Sequence, residues 1–119
     1  MANTQLVWQN DGSKRFLKFV FHGHFTEEEA RSVIDKWIEE FSKELPDDTK
    51  TNIIWDCLEM TGFDPKVKKI WQDILKSLSP KIADIWIIST SPVIRIAALT
   101  MGMFSKFNIK TVIKESDIK

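Results

Sequence analysis

Ala83-Asp84-Ile85-Trp86-Ile87-Ile88-Ser89-Thr90 runs directly into Ser91-Pro92. The first eight residues are almost continuously apolar, which suits a strand buried on both faces of a parallel sheet. Ser followed by Pro then starts a helix, because Ser caps the first turn and Pro fits its first position. A buried strand feeding a capped helix is the unit of an α/β fold. The neighbouring segments repeat it.

Upstream, Asp64-Pro65 is the same cap-and-proline start. Val67, Ile70, Trp71, Ile74, Leu75 and Leu78 follow at helical spacing until Ser79-Pro80 stops them. Residues 52–57, with Ile53, Ile54 and Trp55, form the strand before that helix. Thr26 and Glu29 make a capping box ahead of the stripe Ala30, Val33, Ile34, Trp37, Ile38 and Phe41. Glu27, Glu28 and Glu29 suit the positive end of that helix, which should stop near Leu45, before Pro46. At the start, residues 4–10 and 15–22 alternate as strands around the turn signal Asn10-Asp11-Gly12-Ser13. Leu17, Phe19 and Phe21 share one face of the second strand, and Lys18 and His22 the other. Downstream, the third helix runs to about Phe107, and residues 109–114 close the chain as a last strand. Residues 1–119 are therefore expected to form one α/β domain. It would hold a mixed, mostly parallel five-stranded sheet, with one antiparallel hairpin and three main helices.

Composition narrows the function. The chain has 119 residues, with 17 Lys and Arg balancing 17 Asp and Glu. Zero net charge argues against a nucleic-acid binder and against attachment to anionic membranes by charge. The one cysteine, Cys57, forms no disulfide within the chain. The first residues show no basic-then-apolar leader, and no apolar run spans a bilayer. A soluble, cytoplasmic protein without integral membrane segment is expected. Five Trp and eight Phe, with no Tyr, read as core fillers.

Three segments carry a family resemblance. They are Phe21-His22-Gly23-His24-Phe25-Thr26-Glu27-Glu28-Glu29-Ala30, then Ile53-Ile54-Trp55-Asp56 with Met60-Thr61-Gly62-Phe63-Asp64, and then Ile85 to Ser91 leading into Arg95. With the order of elements over nearly the whole chain, they resemble the SpoIIAA-like, or STAS-type, domain. The resemblance implies a non-enzymatic regulatory or protein-interaction module. The best-known members of that group are anti-sigma factor antagonists, switched by phosphorylation of a Ser that follows an Asp at the start of the second helix. Here Asp64 matches that Asp and Pro65 follows it. Proline has no hydroxyl, so the usual phosphoacceptor is missing, and the nearest hydroxyl is Thr61. A divergent branch of the group is the expected placement.

No set of residues assembles into recognisable catalysis, and neither a metal nor a cofactor is expected. His22 and His24 lack the further ligands a metal needs. Cys57 at the end of a buried strand reads as core unless an imidazole lies within hydrogen-bond reach. The alternative function is a small-molecule or anion site on the loops at the carboxyl ends of the strands, using His24, Asp56, Ser89, Thr90, Ser91 and Arg95. Ordinary caps and a solvated Arg would give the same pattern.

The third helix carries more apolar residues than one sheet-facing stripe uses. Ile94, Ala97, Met101 and Phe104 make a sufficient core stripe, and Ile96, Leu99, Met103 and Phe107 form another. The second stripe is expected to meet a protein partner or a second copy, or else to be buried under loops.

Overall fold

The computed structural model describes residues 4–11, 14–44, 49–102 and 108–118. Strands β1 (Gln5–Asp11), β2 (Lys14–Phe25), β3 (Thr51–Phe63), β4 (Ile82–Ile88) and β5 (Asn108–Val112) form one sheet. Helices α1 (Glu27–Glu44), α2 (Pro65–Leu78) and α3 (Pro92–Gly102) connect them. Strand order in space equals strand order in sequence. The β1–β2 pair is antiparallel and the other three pairs are parallel. This is the expected mixed sheet with three helices. Asp11 pairs with Lys14, and Gly12 and Ser13 of the expected turn lie outside the described residues. The expected end of α1 near Leu45 and the last turns of α3, with Met103, Phe104 and Phe107, also fall outside them.

Crossover connections are right-handed almost without exception. When each parallel strand is added on the same side of the last, such crossovers put every helix on one face. The packing agrees. One core joins Leu17, Phe19, Ile53, Trp55, Ile85 and Ile87 of the sheet to Trp37 of α1, Trp71 of α2 and Ile94 of α3. Trp71 is its hub, with ring centroids 5.5 Å from Phe25, 5.6 Å from Trp37 and 5.9 Å from Trp55. Such aromatic pairs contribute about 0.5–1.5 kcal/mol each beyond their burial.

The other face carries the alternate residues of the same strands. Phe16, Ile54 and Ile88 are buried there, against Trp86, Val112 and Ile118. Ile118 follows a short 3-10 turn (Glu115–Asp117) that lies over this face. Glu115 accepts hydrogen bonds from Lys18 and Gln9, and the lysine holds its carboxyl below the usual range.

Strands β2 and β3 extend beyond the expected residues 15–22 and 52–57. Their register slips between Val20 and His22 and again between Gly23 and His24. Each slip inserts an extra residue on β3 and bends the pair. Gly23 has φ +69°, a conformation that costs glycine nothing and other residues much. Thr61 consequently lies in β3 and not on a loop.

Candidate functional site

Ligands of parallel sheets collect at the carboxyl ends of the strands. Here that end is formed by the bent tips of β2 and β3, the end of β4 and the first turns of α2 and α3.

Asp64 ties the first two connections together. Its Oδ2 accepts the Glu27 backbone N–H at 2.9 Å, and its own N–H donates to the Phe25 carbonyl. His24 Nε2 lies 2.8 Å from Oδ1. A carboxylate only accepts, so that nitrogen carries the proton. These bonds, with His24 first, hold the Asp64 carboxyl below its usual range. The expected cap of α2 by the Asp64 side chain is therefore corrected. The side chain makes no cap bond on its own helix and caps α1 instead, beside Thr26, whose Oγ1 accepts from Glu29 N–H. His24 approaches close to Gly62, where a Cβ would stand 3.3 Å from His24 Nδ1.

Asp56 lies earlier on β3. Its Oδ1 accepts the Leu58 N–H at 3.2 Å, closing the β3 bulge, and its Oδ2 is 3.9 Å from Lys18 Nζ. At the end of β4, Ser89 is buried, and its Oγ accepts the Ser91 N–H at 3.0 Å. Ser91 Oγ in turn faces the Ile94 N–H at 3.4 Å, the cap expected for α3. Thr90 is exposed. Arg95 reaches to β5 and donates to Thr111 Oγ1 at 3.2 Å. These hydrogen bonds close turns and caps or, as with His24–Asp64 and Arg95–Thr111, tie neighbouring elements together. His24 and Asp56 engage different partners from those of Ser89, Ser91 and Arg95, and none of the six lines the cavity between α2 and α3. No three His, Cys, Asp or Glu side chains come together among the described residues. Cys57 is buried, and burial pushes its thiol up to about 12, with the Asp56 charge adding to the effect.

That cavity is one sequence reading missed. It measures about 60 Å³, is open on one side and is walled by Phe21, Phe25, Trp55, Met60, Trp71 and Ala97, with Cys57 and Lys68 also reaching it. Each aromatic residue reads singly as core filler. Only the meeting of α2, α3 and the bent strand tips leaves a gap between them.

The outward side of α3 is the other feature. Ile94 and Ala98 are buried, whereas Val93, Ile96 and Leu99 are 70%, 65% and 47% exposed. Ala98, not Ala97, is thus the fully buried alanine, and Ala97 is half-buried.

Comparison with known proteins places this geometry. The chain superposes on a structure from Shewanella loihica PV-4, a DUF3478 family protein with a SpoIIAA-like fold. The TM-score is 0.77 at 13% identity, covering 98% of this chain and 91% of that one. It also superposes on the anti-sigma factor antagonist SpoIIAA in its unphosphorylated form, with a TM-score of 0.61 at 12% identity and 94% coverage of both chains. No family model and no curated protein matches the sequence. The protein has the α/β fold called SpoIIAA-like. Its sequence shares little with either of these structures.

Proposed function

We propose that residues 1–119 act as one non-enzymatic, regulatory protein-interaction module of the cytoplasm, docking a protein partner or a second copy through α3. The exposed side of α3 carries this reading. Ile96 is largely and Leu99 nearly half exposed, although burying such side chains is worth roughly 1.5–3 kcal/mol each. Contiguous exposed apolar patches of this kind mark interaction surfaces. Met103 and Phe107, which share the helical spacing of Ile96 and Leu99 in sequence, lie outside the described residues. The dispersal of the six polar candidates supports a non-enzymatic role. The SpoIIAA structure with the same fold is an anti-sigma factor antagonist, which fits a partner-binding use of the scaffold. No described helix is long and apolar enough to cross a membrane.

Ile96→Glu and Leu99→Glu test the docking surface. Both variants should keep the wild-type melting temperature to within a few degrees, since exposed substitutions change stability by roughly ±0.5 kcal/mol. Both should lose self-association in analytical ultracentrifugation, or capture of a partner. Ala98→Glu, on the buried side of the same helix, should unfold the domain. Exposed-side variants that associate as well as wild type would sink the proposal. A wild type monomeric at high concentration removes the second copy as the partner.

A further inference from the structure

We propose that the cavity between α2 and α3 binds a small carboxylic acid, with its apolar body in the cavity and its carboxylate at Lys68. Three observations carry this. The lining is almost wholly apolar, and Lys68 is the one charged residue on it. A water held there would need two to four polar partners, and this wall offers too few, so carbon is the better occupant. Lys68 makes no ion pair among the described residues, unlike Lys69 one position on, which pairs with Asp73 at 3.0 Å.

The sign of the local field points the same way. The first turn of α2 contains no acidic residue, and the carboxylate of Asp64 is turned away onto α1. The positive end of the helix dipole is therefore reinforced by Lys66 and Lys68 instead of being neutralised. An anionic head beside an apolar body satisfies both. At about 60 Å³ the cavity admits the end of a chain and not a whole ligand. Val93, exposed and one turn before Ala97 on α3, continues the apolar surface outward.

Octanoate and 1-octanol are the probes, titrated into the full chain by calorimetry and by NMR of the tryptophan indole N–H signals. Octanoate should bind saturably and more tightly than octanol, and should shift the Trp55 indole signal, assigned from its absence in Trp55→Phe. Lys68→Met should weaken octanoate by about tenfold or more, the scale of a charge-assisted contact, and leave octanol unchanged. Ala97→Phe, which fills the cavity from a half-buried position, should abolish both. Absence of saturable octanoate binding overturns the proposal, as does octanol binding as tightly as octanoate. If Ala97→Phe fails to fold, the wild-type Trp55 signal decides alone, and a signal unmoved at saturating octanoate overturns it. Ile96→Glu and Leu99→Glu should bind octanoate like wild type, which separates this site from the protein-docking strip.

Discussion

Asp64 shows how one residue serves two helices. Its backbone starts α2, while its side chain closes the first turn of α1 thirty-seven positions earlier in sequence. Asp64→Asn should lower the melting temperature at pH 7, because a neutral amide replaces the charged acceptor of Glu27 N–H and His24. The folded-state pKa of Asp64 is depressed. Its stabilisation is thus present above the unfolded value near 3.8 and is lost as pH falls through the folded value. Melting curves of the two proteins should converge in strong acid, and a gap that persists there would refute the capping role. Cys57 gives an opposite case. With its thiol raised from 9.0 to about 12, it should resist a disulfide reagent at pH 8 until denaturant is added. Its contribution to stability is complete below pH 9.0 and is lost as pH rises towards 12. Rapid labelling of the native protein at pH 8 would contradict this. The sequence identifies Asp64-Pro65 as a helix start, since cap chemistry is local. It does not reveal the turn of the carboxylate onto α1, which depends on β2 and β3 bringing Phe25 beside Asp64.

At the scale of elements, legibility follows the range of the interactions. α1 is readable because Thr26, Glu29 and the stripe through Phe41 are all within a few turns of one another. α3 is readable in its start, where Ser91 caps as expected, and less so in its faces. Ile94 lies inside as anticipated, but Ala98, four residues on and so on the same side of the helix, takes the fully buried place in preference to Ala97. The tips of β2 and β3 were unreadable. His22-Gly23-His24 and Glu59-Met60-Thr61-Gly62 lack the alternation of a strand, and the two bulges that pair them are fixed only when the strands meet. The same bulges set Thr61 at an exposed strand end, ahead of α2. Phosphorylation at the start of α2 is ruled out chemically at Pro65. After incubation with a kinase that modifies SpoIIAA-like domains, intact mass should show no added phosphate. A phosphate mapped to Thr61 would mean that a switch operates from the strand instead.

For the molecule as a whole, the decisive fact is that the three helices share one face. Among the described residues no α-helix covers Phe16, Ile54 and Ile88 on the opposite face, and the short segment ending in Ile118 packs there instead, pinned by Glu115 to Lys18 and Gln9. Removing residues 115–119 should leave the helix-side core folded. It should also increase binding of an apolar fluorescent dye and lower the melting temperature. Glu115→Lys, which sets two ammonium groups face to face, should reproduce part of the effect. Unchanged dye binding in the truncated chain would show that the segment covers nothing of consequence.

The unbroken strand order has a consequence in time. No later strand inserts between two earlier ones. A chain emerging from the ribosome can therefore lay down β1, β2, β3, β4 and β5 by successive additions to a single growing edge, without reopening any pair already made. Only the β1–β2 hairpin pairs residues close in sequence; each parallel pair must close a crossover through a helix, so these later additions are the slow steps of assembly. Until β5 arrives, the advancing edge is β4, which carries the buried apolar residues Ile85, Ile87 and Ile88. A synthesis pause after Ile88 would hold that edge bare, and aggregation of nascent chains should be greatest there.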